Sequence, residues 1–452
     1  MAYTRMAYIR TAGLRAEPNN TMNAIVTTGW EQARFDLYRR VLLVLTTFLL
    51  PVSQILEASG KKINFSFADL VLPLAFLLMA WRLITRGLRF PMPMLFFLSV
   101  GMVCASSVAN LERALDLRGP VSQLVELVKL LSLWAYFYTF VNFLDDRRDL
   151  LLMLRTWIFS GTIVAALGAA GSLAYQMAGI ETVFSLQFRA QGTFDDANLF
   201  AAHCGLSLLL TLLYMRLSGP GEWWPWAAMP VMAAGLLLSA SRGSLISVGL
   251  ALACLAFVFA PMWFRLSVGF AGVMTVVGVM ALPNRDEFLG GNPITARLTT
   301  TTVDLNNPEA MQRRELWEVA WKTWQENPWL GVGKGNYGMG EGGEAGAIGV
   351  AHSTYLGTLA ELGIAGFLIY LFSAGRLVGP SVFAVFRNGD LAAAILLGAL
   401  LVILLAGVTI SIENYRGLWV LLAIFEAYRR VVLGPALSTE RRGREVEHAR
   451  AA

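Results

Sequence analysis

Long apolar runs separated by short polar stretches make up most of this chain, and the runs fall in one length class. A bilayer core is crossed by about 20 mostly apolar residues in a helix. Twelve segments satisfy that requirement: 38–56, 66–84, 91–109, 121–143, 151–178, 198–216, 224–240, 244–260, 263–282, 353–373, 390–410 and 415–432. The pattern predicts an all-α integral membrane protein of about 12 transmembrane helices. Its expected divisions are an N-terminal segment (1–36), helices one to nine (37–282), one long loop (283–352), the last three helices (353–432) and a charged tail (433–452). No cleavable signal is expected, because no small-residue cleavage site follows the first apolar run.

With 56% hydrophobic and 15% charged residues, the composition excludes an ordinary soluble domain. The net charge of +5 carries topology and not nucleic-acid binding, because the cations sit at segment ends. Arg82, Arg86, Arg89, Arg147, Arg148, Arg216, Arg265, Arg376 and Arg387 fall in alternate loops, and the tails add Arg39, Arg40, Arg429 and Arg430. The positive-inside rule then puts both termini in the cytoplasm and the long loop outside, whatever its own charge. Cys104, Cys204 and Cys254 all lie in apolar segments, where neither a disulfide framework nor a zinc cluster is placed.

Four unusual stretches share the outer side: "FRAQGTFDDANLF" (188–200), "SASRGSLIS" (239–247), the loop 283–352 and the start of the segment behind His352. A loop of this length among short connections is usually functional. Within it, 308–327 reads as a helix, with Asn307 as cap, Pro308 in first position and Pro328 as the stop. Trp317, Trp321 and Trp324 fall on one face, which suits an amphipathic helix at the membrane interface better than a sugar-stacking platform. The glycine-dense stretch 331–349 reads as a mobile lid. Gly333, Gly335 and Gly338 match a G-x-G-x-x-G spacing, but no strand precedes them and no helix follows at once.

Charged and titratable residues are few enough to weigh singly. Asp195 and Asp196 stand just before a segment, where carboxylates cap helix N–H groups; no further ligands accompany them, so no metal is expected. Arg242 interrupts two apolar segments in a very tight turn, and its planar fork matches phosphate oxygens. His203 reads as a packing residue and His448 belongs to the charged tail, which leaves His352 as the candidate general base, losing activity as pH drops through roughly 6.5. Glu361 lies nine residues further on, about 13 Å deeper on the opposite helix face. An intramembrane acid needs a partner, and Lys129 beside Glu126 lies at a similar depth. A Glu361–Lys129 pair is therefore expected.

In their order, "RAQGTFDDANLFA", "SASRGSLIS", "NPWLGVGKGNY" and "AHSTYLGTLAELGIAGF" resemble the O-antigen ligase and polymerase family of bacterial envelope glycosyltransferases. The resemblance covers roughly residues 185–375 and is nearest to the O-antigen ligases. It implies a C-type glycosyltransferase architecture in the bacterial inner membrane with a periplasmic active site. It also implies an undecaprenyl pyrophosphate-linked glycan as donor, a sugar hydroxyl of the lipid A core as acceptor, and neither metal nor other cofactor nor ATP. The family's arginines, expected to bind the pyrophosphate, map onto Arg189, Arg242 and one of Arg313 and Arg314, and its histidine, expected as the catalytic base, onto His352. O-antigen polymerase and protein O-glycosyltransferase share these features. A lipid-linked glycan transporter would instead line a path near the midplane with ionisable groups.

Overall fold

The computed structural model describes residues 18–58, 61–112, 120–259, 308–337 and 351–435. These are mostly helical. The elements are α1 (Pro18–Leu49), β1 (Ser53–Ala58), β2 (Lys61–Ser66), α2 (Ala68–Arg86), α3 (Pro93–Ala109), α4 (Pro120–Phe143), α5 (Arg147–Ala178), β3 (Ser185–Leu186), β4 (Arg189–Ala190), α6 (Ala197–Ser218), α7 (Trp224–Leu238), α8 (Arg242–Phe259), α9 (Pro308–Glu326), α10 (Thr354–Asn388), α11 (Leu391–Ala406) and α12 (Arg416–Tyr428), which runs into a π turn (Arg429–Leu433).

Among the described residues, five helices are long and apolar enough to cross a membrane: Leu124–Phe143 of α4, α5, α6, α8 and α10. α3, α7 and α11 are apolar but shorter. The expected segment 263–282 lies outside the described residues, as do most of the long loop and the C-terminal tail. Exposed Leu77, Ile84, Phe372 and Phe386 point outward from α2 and α10, as lipid-facing side chains do.

The first expected segment, 38–56, does not continue as helix. Pro51 follows the end of α1, and Ile63, Phe65 and Phe67 then alternate with Lys62, Asn64 and Ser66, the two-residue period of a strand. A β-hairpin forms instead, with Ser53 paired to Ser66 and Ala58 to Lys61. A second, two-residue hairpin pairs Leu186 with Arg189.

The arginines of the alternate loops gather at one end of the bundle. Arg82 holds Asp145 through both nitrogens at 2.9 Å, while Arg39 and Arg40 hold the buried Asp149 at 2.5 and 2.9 Å. Burial alone would raise the pKa of Asp145, but Arg82, Arg39 and Arg89 outweigh it and hold it below the usual carboxylate value.

α10 has the irregularity that shapes the opposite end. Gly363 sits at φ +65° inside it, so the helical ladder is broken there. The segment 328–333 threads into the break: Val332 and Gly333 donate to the carbonyls of Ala360 and Glu361 (2.9 and 3.0 Å), and Ile364 donates to that of Pro328 (2.8 Å). The Ser106 hydroxyl of α3 fastens the insert through the Leu330 carbonyl at 2.6 Å. Backbone meets backbone so closely that a Cβ on Gly331 would stand 2.3 Å from the Glu361 carbonyl carbon, and one on Gly363 2.3 Å from that of Trp329. This fixes a glycine at both positions. Residues 331–333 are therefore a structural insert and not part of a mobile lid; 338–350 lie outside the described residues.

Candidate active site

The starts of α6, α8 and α10 meet at the end where α10 is broken. Asp196 caps α6 by accepting from the backbone N–H groups of Asn198 and Leu199 at 2.5 and 3.3 Å, the capping role read from its position. Burial, and then the charge of Asp196 next door, raise the pKa of Asp195.

Arg189 projects from β4 and ties two neighbours together. Its Nε donates to the Ser239 carbonyl and its Nη2 to Asn198 Oδ1, both at 2.9 Å. Ser239 opens the turn between α7 and α8, where Ala240 takes φ +51° and Arg242 is the first residue of α8. The buried hydroxyl of Ser244 donates to the Asn198 carbonyl at 3.2 Å, so the start of α8 is keyed to the start of α6. Arg242 is half-buried in this corner. The turn is as tight as the sequence required.

His352 takes φ +45°, an uncommon conformation for a residue with a side chain, directly before Ser353, whose hydroxyl caps α10. Thr354 then ties the start of α10 to the segment after α11: its N–H donates to the Gly407 carbonyl at 2.9 Å and its hydroxyl to that of Ile410 at 3.1 Å. Thr409 of that segment abuts Gly243, so Arg242 and His352 flank one stretch of backbone. Half-buried, His352 has its pKa lowered by burial first and by the Arg313 charge second, against Asp196. Charges from two separate pieces of sequence thus act on one imidazole.

α9 places its two adjacent arginines in different surroundings. Its inner face places Ala320 in a small core with Tyr337, Ala351 and Ala360, and Leu316 is buried one turn before it. Arg313 shares that side and is half-buried, whereas Arg314 points outward to Glu318 at 2.7 Å. Trp317 and Trp324 flank the packed face, while Trp321 is 47% exposed.

The expected Glu361–Lys129 pair does not form. Glu361 holds Lys334 at 2.6 Å and also accepts from the Gly335 N–H at 3.1 Å, whereas Lys129 pairs with Glu126 on its own helix at 2.6 Å. The threaded insert delivers a cation to Glu361 from within the chain's own loop. Burial alone would lower the Lys334 pKa, but Glu361, with Glu413 and Glu126 behind it, raises it above the ordinary lysine value. His203 is fully buried against Trp157 and Phe194 and meets the Tyr415 hydroxyl at 2.6 Å, as a packing residue should.

A cavity of about 380 Å³ opens beside the first turn of α6, lined by Ser53, Lys129, Phe194, Glu413, Asn414 and Arg416 among others. Asp69 anchors Arg416 at 2.5 Å and also accepts from the Tyr136 hydroxyl at 2.7 Å. Asp69, Glu413, Asn414 and Arg416 escaped the sequence reading. The signal was present: "SIENYRG" (411–417) is a polar break between two apolar runs, the same mark that singled out "SASRGS". No group of three or more metal-ligating side chains occurs among the described residues.

Bundle and site define a helical membrane protein whose distinctive cations and histidine meet at one end. Residues 227–371, about a third of the 452-residue chain, match the family model described as O-Antigen ligase, and the family read from the motifs is borne out over that segment. The matched span contains Arg242, Arg313, Lys334, His352 and Glu361 but not Arg189. No curated protein matches the chain.

Proposed function

We propose that this protein is an O-antigen ligase, moving a glycan from undecaprenyl pyrophosphate to a sugar hydroxyl of the lipid A core. The observation that carries the reading is the meeting of Arg189, Arg242, Arg313 and His352 at one end of the bundle, from pieces of chain far apart in sequence. In this reading twelve spans set that end, with the 283–352 loop, on the periplasmic face of the bacterial inner membrane, and both termini are cytoplasmic. His352 takes the proton of the acceptor hydroxyl as its oxygen bonds to the anomeric carbon. The bond to pyrophosphate breaks on the opposite face, which inverts the centre. Arg242, with Arg313 beside the histidine, stabilises the departing pyrophosphate; Arg314 is occupied by Glu318. Arg189 commits two N–H groups to Ser239 and Asn198, so it braces the turn that carries Arg242. Neither metal nor nucleotide has a step in this chemistry.

A transporter would leave the freed backbone of a broken helix to its cargo. Here the freed carbonyls of Ala360 and Glu361 are taken by Val332 and Gly333, which favours the enzyme.

The test is a full-chain protein reconstituted with lipid-linked glycan and lipid A core. Transfer to core should persist in a chelator, and Arg242→Lys should slow it of order a hundredfold, because a point charge does not reproduce the guanidinium fork. Elongation of glycan on the lipid carrier, with none reaching core, would mean a polymerase. The orientation has its own check: Glu318→Cys in a cysteine-free background should react with a membrane-impermeant maleimide from the periplasm. Labelling only after the inner membrane is opened would reverse the topology.

A further inference from the structure

At the end of the bundle away from His352, the geometry of α10 opens a second cavity. α10 has 35 residues and would be about 52 Å long if straight; α11 has 16 and is about 24 Å long. Yet the two are tied at both ends, by the Thr354–Gly407 hydrogen bond and by the two-residue link 389–390. α10 therefore cannot run straight alongside α11. It breaks at Gly363 and carries Pro380 further on.

The space left behind is about 900 Å³, walled by Gly375, Gly379 and Phe383 of α10 on one side and by the ends of α5, α6 and α12 on the other. Four arginines line it: Arg147, Arg216, Arg376 and Arg429. Only one carboxylate, Asp390, joins them in the lining, and it is engaged in capping α11 and accepting from the Tyr428 hydroxyl at 2.7 Å. Arg429 pairs with Glu426 at 2.6 Å, and Arg147 donates to the Leu217 carbonyl. Arg216 and Arg376 make no ion pair among the described residues. From Arg376 an apolar groove leads away between α3 and α10, floored by Leu95, Leu98, Leu368 and Phe372. A concentrated positive basin that continues into an apolar groove has the charge and shape of one kind of ligand.

We infer that this basin and groove hold an anionic glycerophospholipid, its phosphate between Arg216 and Arg376 and an acyl chain along α3 and α10. Basic pockets between transmembrane helices on the cytoplasmic side recognise lipid headgroups by this chemistry. A lipid seated there would fill the space beside Gly375, Gly379 and Phe383 of α10, at the membrane face opposite the glycan chemistry.

The experiment uses the full chain in detergent, titrated with phosphatidylglycerol, with phosphatidylcholine and with inorganic phosphate, and read by native mass spectrometry. Phosphatidylglycerol should bind in preference to phosphatidylcholine, and Arg216→Gln/Arg376→Gln should weaken it at least about tenfold. Both arginines are exposed and make no ion pair among the described residues, so the lipid-free melting temperature should not move. The control removes two equally exposed arginines outside the cavity, Arg34→Gln/Arg148→Gln, and should bind as the wild type does. Equal loss in both double variants, or no headgroup preference, would overturn the assignment. Inorganic phosphate binding as tightly as the lipid would make it a site for a soluble anion and also overturn it.

Discussion

Replacing His352 by alanine should leave binding of the lipid-linked donor unchanged and slow glycan transfer about 10²–10⁴-fold, the usual loss when a general base is removed. The pH profile makes this more specific. A general base works in its neutral form, so activity falls as pH drops through its pKa in the folded protein. Burial and the Arg313 charge hold that pKa below the ordinary histidine value of 6.5, with Asp196 opposing them. The acid limb of the wild-type rate should therefore lie below pH 6.5 and not at it, as the sequence alone would have placed it. Arg313→Gln removes one of the two lowering influences, so the limb should move toward higher pH. Single-turnover transfer across pH 4.5–8, with donor binding measured separately, checks both points. If His352→Ala abolishes donor binding while its residual transfer keeps the wild-type pH profile, the imidazole is a donor ligand and not the base.

Lys334→Met should destabilise the fold strongly, by about 3–5 kcal/mol, because it strands Glu361 in a largely buried site. Glu413 and Glu126 stand near enough to act on the same lysine, so removing it leaves acids facing acids. Glu361→Gln should cost less, since those two carboxylates still answer the charge of Lys334. The double variant Lys334→Met/Glu361→Gln should recover much of the loss, as a coupled pair does in a double-mutant cycle. Thermal unfolding in detergent gives the order. A Lys334→Met protein that melts with the wild type would show that the pair does not hold the insert in α10.

How legible the molecule was depends on how far apart the deciding residues lie. The helix read at 121–143 is α4 at Pro120–Phe143, and that read at 198–216 is α6 at Ala197–Ser218. Both follow from apolar runs and from caps within a turn of the helix end, and the Arg242 turn follows from the brevity of "SASRGS" between two such runs. The sequence failed at 53–66 because the strand alternation there is short and lies beside two strong helical runs.

What the sequence by itself determined is therefore local: where the chain crosses apolar surroundings, where Asp196 caps a helix, and which few charges stand at apolar boundaries. The tertiary structure alone decided the partners. Depth along ideal helices paired Glu361 with Lys129, but the segment 328–337 threads into the break at Gly363 and brings Lys334 to it from 27 residues away. Arg313 and Arg314 are adjacent and alike in sequence; only the packing of Ala320 against Tyr337, Ala351 and Ala360 sets one to act on His352 and the other to pair with Glu318. The physical reason is range. Periodicity and capping act over one or two turns of helix, whereas a buried charge takes the nearest opposite charge in space, and the folded path of the backbone sets which one that is.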